Sequence, residues 1–60
     1  MKIIDVNGRE RECDDIRLVE RETQKWVRVS IISKKTGDIH FEWYPVDDFK
    51  NRNPDKISML

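Results

Sequence analysis

Reactive and backbone-restraining residues are scarce in this chain. It has one cysteine, one histidine, two glycines and two prolines among sixty residues, and its twelve basic side chains cancel its twelve acidic ones. A lone Cys13 cannot close an internal disulfide. With His40 predicted on a different strand pair, it assembles neither a Cys-His nucleophile nor a metal cluster from the usual ligands. Gly8 and Gly37 are isolated turn glycines, so no phosphate-cradling loop exists. Cutting the chain after Ser33 leaves seven basic against seven acidic residues, then five against five, so neither part carries a charged tail. That argues against nucleic-acid binding driven by overall charge, although a local patch stays open. Long apolar runs are missing too, so neither a transmembrane span nor a secretory signal is expected; the default location is the cytoplasm, which a single free cysteine fits. Asp14-Asp15 and Asp47-Asp48 read as turn formers, because sequence neighbours in a turn point apart. The expectation is a protein that is not an enzyme, with no metal, no cofactor, no membrane contact and no small-molecule substrate.

What the chain does have is one long two-residue alternation, Lys25 to Pro45. Val27, Val29 and Ile31 share one face of a first strand and Ile39, Phe41 and Trp43 one face of a second, the pattern of a half-buried antiparallel hairpin. A three-residue loop at Lys35-Thr36-Gly37, with Gly37 in the left-handed conformation that a Cβ resists, pairs Lys34 with Asp38. It sets Ile31 opposite Phe41 and Val29 opposite Trp43, so the two apolar rows coincide. A two-residue loop at Thr36-Gly37 would turn them onto opposite faces.

The rest of the chain fits around this hairpin. Lys2 to Val6 turns at Asn7-Gly8 into Arg9 to Cys13, through either a tight two-residue turn or a bulged loop that pairs Asp5 with Arg9 and Lys2 with Glu12. Asp14-Asp15 marks a bend. Ile16 to Arg21 is then a third strand, with a reversal at Thr23-Gln24 that sets Leu18 opposite Val29; a helix capped by Asp14 is the alternative. Pro45 ends the sheet for want of an amide hydrogen. Val46 to Phe49 is read as one turn that swings Phe49 over the sheet's open end. Asn53-Pro54-Asp55 starts a short helix to Leu60, or Lys56 to Leu60 forms a further strand. Residues 1–60 make one domain, near the lower size limit for folding without disulfides or metal, with about fourteen apolar side chains available for its core. The class is all-β with a short C-terminal helix or turn.

A two-stranded hairpin, a three-stranded meander and a terminal turn or helix resemble the five-stranded SH3-like barrel. The order is similar to that of the very small archaeal chromatin proteins. The opening IIDVNGREREC before Asp14, the distal Lys35-Thr36-Gly37, and Pro54 with Met59-Leu60 carry this resemblance. It implies DNA binding on the exposed face of the three-stranded sheet, around a tryptophan. That family is strongly basic; here Glu20 or Glu22 falls in the matching stretch and the chain is neutral, so no DNA-contact residue is carried over by position. Trp43-Tyr44-Pro45 followed by Phe49 is also similar to the Trp-Phe-Pro-x-x-Tyr segment of peptide-binding SH3 domains, with the last aromatic one residue late.

The informative surface is the meander face turned away from the core. By the pairing above it presents Arg17, Val19 and Arg21, then Trp26, Arg28, Ser30 and Ile32, then His40, Glu42 and Tyr44. Arg21 falls beside Trp26 and Arg28 beside Tyr44, at cation–π distance. One reading is that arginines merely cover exposed rings and keep the face in water. The other is a binding platform of Arg17, Arg21, Trp26, Arg28, Ile32, His40 and Tyr44, since Arg, Trp and Tyr are enriched where binding energy concentrates. The neutral total charge and the apolar members suit a protein partner or a second copy of the chain. The arginines with stackable rings suit DNA or RNA as the alternative.

Overall fold

Asp14 decides the number of strands. Glu10–Arg21 is one continuous strand, β2, where the sequence suggested two strands separated by a bend. Cys13 pairs with Ile31 and the next pair is Asp15 with Ser30, which leaves Asp14 as an extra residue in a β-bulge. A bulge bends a strand without ending it, so the corner expected at Asp14-Asp15 is made inside the ladder. The structure is a computed structural model that describes residues 1–60. β1 (Lys2–Ile4), β2, β3 (Gln24–Ile32) and β4 (Ile39–Pro45) form one antiparallel sheet in the order β1-β2-β3-β4. Strand takes up 52% of the chain and helix 22%, so the all-β expectation holds at that level. The sheet has four strands, curled into a half-barrel, and the expected five-stranded count is corrected by the bulge.

Of the two N-terminal turns the sequence allowed, the bulged loop forms. Lys2 lies opposite Glu12, and the Asp5 N–H donates to the Arg9 carbonyl at 2.9 Å. Gly8 sits at φ +76°. The Asp5 side chain is buried inside this turn, where its Oδ1 accepts the N–H groups of Asn7 and Arg9, each at 2.9 Å, and its Oδ2 accepts Arg11 Nη1 at 3.2 Å. Those donors, the Arg9 amide foremost, hold its carboxyl below the usual carboxylate range although burial works the other way.

Strands β2 and β3 are joined by Glu22-Thr23, with Arg21 opposite Gln24, and Glu22 is held at φ +59°. The reversal expected at Thr23-Gln24 is thus displaced, and Leu18 faces Val27 and Ile16 faces Val29. The displacement is an even number of residues, so every side chain keeps its expected face.

The β3–β4 register is off by an odd number, and there the faces change. Gly37 is left-handed as expected, at φ +76°, but its N–H closes on the Ser33 carbonyl at 2.9 Å and Ser33 N–H pairs with the Asp38 carbonyl at 2.8 Å. Lys34 is thereby absorbed into the loop. Ile31 faces His40, Val29 faces Glu42 and Val27 faces Tyr44. Tyr44 goes into the core, while Ile39, Phe41 and Trp43, all assigned to the core from sequence, stand on the outer surface. The inner space is filled from elsewhere. Helix α1 (Val46–Arg52) runs past the single turn expected of it and delivers Phe49, fully buried, against Tyr44. With Ile3, Cys13, Ile16, Val27, Val29 and Ile31 these two rings make up the core, and Val46 and Leu60 pack partly against it.

The C-terminal segment is helical, not a strand: Pro54–Met59 forms a 3₁₀ helix. Asn53 does not cap it. Its buried amide turns instead to β1, accepting the Ile4 N–H at 2.7 Å and donating to the Ile4 carbonyl at 3.0 Å. It behaves as a stretch of neighbouring strand one residue long, and it covers the outer edge of β1 there.

Candidate functional site

The face of β2-β3-β4 that points away from α1 is assembled by cross-strand rows. Arg17, Arg28 and Trp43 form one row, Asp15, Ser30 and Phe41 the next, and Val19, Trp26 and Pro45 a third, with Ile32 opposite Ile39 at the loop end. Alternation along each strand supplies these rows, since side chains on one face recur every second residue. Ser30 is buried at their centre. Around it, Ile39 is 54% and Phe41 55% exposed, Trp43 is 36% exposed, and Val19, Trp26 and Ile32 are half-buried. So much apolar surface on one side of so small a domain needs an occupant or a cover.

Two arginines provide partial cover. Arg28 lies over the Phe41 ring, its guanidinium carbon 4.5 Å from the centroid, and Arg21 reaches across to Trp43 at 4.7 Å. Each stacking contact contributes roughly 0.5–1 kcal/mol in a partly exposed setting. Arg17 is different, because it is held by Asp15 at 2.7 Å. Neither Arg21 nor Arg28 has a carboxylate partner, although Arg11 and Arg52 both do. Arg28 Nε is moreover buried without any acceptor. A stacked guanidinium keeps its in-plane N–H groups directed sideways, so these side chains remain donors to a carboxylate or phosphate arriving over the face.

Of the residues singled out from sequence, the structure brings Arg17, Arg21, Trp26, Arg28 and Ile32 together on this face. Two are corrected. Tyr44 is only 1% exposed and lies in the core, because the odd shift of β4 turns it inward. There its hydroxyl donates to Glu42 Oε1 at 2.9 Å, and burial, with that hydrogen bond, pushes the phenol far above its ordinary range. His40 is turned to the inner side by the same shift, with Nε2 3.2 Å from Glu42 Oε2. In their places stand Phe41 and Trp43, and the arginine–ring contacts foreseen at Trp26 and Tyr44 are made to Trp43 and Phe41. Of the Trp-Tyr-Pro segment and its following Phe, only Trp43 offers an aromatic ring to solvent, since Tyr44 and Phe49 are core residues.

Cys13 and His40 are closer than their expected strand pairs implied. Both flank Ile31 in one row, roughly 10 Å apart across two strand spacings. Ile31 separates them. Cys13 is also sealed, its N–H donating to the Met1 carbonyl at 2.8 Å, and burial above all pushes its thiol up. A buried thiol with so little thiolate is a poor nucleophile. Acid–base chemistry elsewhere is taken up by the chain of Tyr44, Glu42, Arg11 and Asp5, whose members satisfy one another between β4 and the first hairpin. No helix is long and apolar enough to cross a membrane.

No protein-family model, curated protein or solved structure matches this chain.

Proposed function

We propose that the chain is a non-catalytic cytoplasmic binding module that docks a protein partner on the outer face of β2-β3-β4. The observation that carries this reading is the pair of stacked arginines without carboxylates, Arg21 on Trp43 and Arg28 on Phe41, set among exposed Ile39 and half-buried Trp26. Arg and aromatic side chains concentrate binding energy where they can be desolvated together. The partner that fits presents an aliphatic or aromatic side chain between carboxylates: the apolar group displaces water from the rings, and the carboxylates pair with the two guanidinium groups. Nucleic acid is the second reading, supported by the same unpaired arginines beside stackable rings and by the resemblance to the archaeal chromatin proteins with their SH3-like barrel.

An amide-shift titration tests both. The probes are a peptide alternating Glu and Leu, duplex DNA and single-stranded RNA, each added to the labelled chain at rising salt. The expected result is peptide binding with shifts at Arg21, Trp26, Arg28, Phe41 and Trp43, weakened by about tenfold or more in Arg28→Ala. Binding of DNA or RNA alone, with affinity falling steeply with salt through counterion release, would replace the first reading with the second. Shifts confined to Arg9–Glu12 or to the C-terminal 3₁₀ helix would remove the face from the account.

A further inference from the structure

The outer edge of β4 is uncovered, and it is self-complementary. β4 is the last strand in the order β1-β2-β3-β4, and nothing pairs with its outer side. On the opposite edge Asn53 satisfies Ile4 of β1, and β1 itself lies along Glu10–Glu12 of β2, which leaves the Ile16–Arg21 end of β2 open. Ser33 and Asp38 form a hydrogen-bonded pair. Antiparallel pairs alternate between bonded and non-bonded, so His40, Glu42 and Tyr44 exchange bonds with β3 while Ile39, Phe41 and Trp43 aim their N–H and C=O groups outward. Pro45 falls in the same outward set, which is where a residue without an amide hydrogen is tolerated. The first hairpin does not seal this edge: a cleft of about 290 Å³ separates Val6 and Asn7 from Trp43 and Tyr44.

We propose that a second copy of this chain adds to this edge, β4 against β4, across a two-fold axis at Phe41. In that register Phe41 faces Phe41 of the second copy and Ile39 faces its Trp43, so every outward N–H and C=O of these three residues has a partner. On the inner side His40 faces Glu42 of the second copy, and Glu42 faces its His40. The flanking registers that also match the outward groups fail on charge. One sets His40 on His40 and Glu42 on Asp38; the other sets Glu42 directly on Glu42. The zero net charge of the chain places no long-range repulsion in the way. The product is a closed, symmetric pair in which the two outer faces run on as one surface and the exposed β4 edge disappears. The inference does not rest on the outer face binding a protein partner.

Sedimentation equilibrium and isotope-filtered NMR test it together. The mass should rise with concentration from 7.3 kDa toward twice that value and stop there. A sample mixed from labelled and unlabelled chains should show cross-peaks between Ile39 and Trp43, which lie about 13 Å apart within one strand and cannot meet inside one chain. Amide exchange at Ile39, Phe41 and Trp43 should slow as concentration rises. Phe41→Lys, at an exposed position, should set two ammonium groups on the axis and weaken association at least tenfold, with the Val27–Tyr44 contact showing that the fold persists. Ile39→Pro, which removes one outward amide, should act in the same direction. A chain that keeps the single-copy mass at millimolar concentration overturns the proposal. So does a dimer without the Ile39–Trp43 cross-peaks, or one indifferent to Phe41→Lys.

Discussion

Phe49 meets Tyr44 edge-on, with ring centroids 5.7 Å apart and planes at 67°. This pair ties α1 to the inner side of β4 and thereby fixes which face of that strand points out. Tyr44→Ala or Phe49→Ala should therefore lower stability by roughly 3–5 kcal/mol, the range for deleting a buried ring and comparable to the total for so small a domain. Trp43→Ala removes a ring on the opposite side and should lower it by about 1 kcal/mol or less. Urea unfolding of the three variants, followed by circular dichroism, separates them.

Asn53 offers a second check on what holds the N-terminus down. Its side chain is the sole partner of both the N–H and the C=O of Ile4 on that edge. Asn53→Ala leaves these groups unsatisfied in a buried setting, with an expected loss of roughly 2–4 kcal/mol. Asn53→Asp retains an acceptor for the N–H but points a carboxylate oxygen at the Ile4 carbonyl, so it should be no milder. Hydrogen exchange would report the loss first at Ile4 and Arg11.

Glu22 carries avoidable strain, being held at φ +59° between β2 and β3. A side chain there crowds the backbone by about 1–2 kcal/mol, part of which glycine recovers before its own chain entropy is subtracted. Glu22→Gly should raise stability by about 0.5–1 kcal/mol and leave the Arg21–Gln24 pairing in place. A lower denaturation midpoint in that variant would contradict the assigned turn.

Asp5 sets part of the acid limb of stability. Its carboxyl is held below the usual range in the folded chain by the Arg9 and Asn7 amides and Arg11. A depressed native value means the unfolded chain takes up the proton first. The stabilisation is complete above the ordinary carboxylate range and is lost as pH falls through the lowered one. Asp5→Asn keeps an acceptor for the two amides and discards the titration. The wild-type advantage over this variant, measured as urea midpoints from pH 7 down to pH 2, should be largest near neutrality and shrink toward the acid end.

The sequence was informative where a local rule acts alone. Asn7-Gly8 and Gly37 specified left-handed turns, Pro45 ended the sheet, and Pro54 began a helical turn; these are backbone preferences carried by single residues. The alternation of Val27, Val29 and Ile31 likewise marked the inner row, and their burial follows it. The register of β4 was not legible, because two rows compete for the core: Ile39, Phe41 and Trp43 are the more apolar, yet Tyr44 is the one buried. One residue of loop length decides between them, and neither Lys34 nor Lys35 signals whether it belongs to the loop. The bulge at Asp14 was visible only as a bend, and Glu22 gives no sign of positive φ. Consequently the arginines of the outer face were placed correctly, since β2 and β3 kept their faces, while the rings they stack on were misassigned.

The outward row of Ile39, Phe41 and Trp43 underlies both the binding face and the free edge, so the β3–β4 register is the claim to test first. Arg28–Trp43 and Ser30–Phe41 are non-bonded antiparallel pairs, in which the two α-protons approach most closely. A proton NOESY spectrum in deuterium oxide should show strong α-proton cross-peaks joining Arg28 to Trp43 and Ser30 to Phe41. Cross-peaks joining Val29 to Trp43 and Ile31 to Phe41 instead would return both rings to the core and contradict the account.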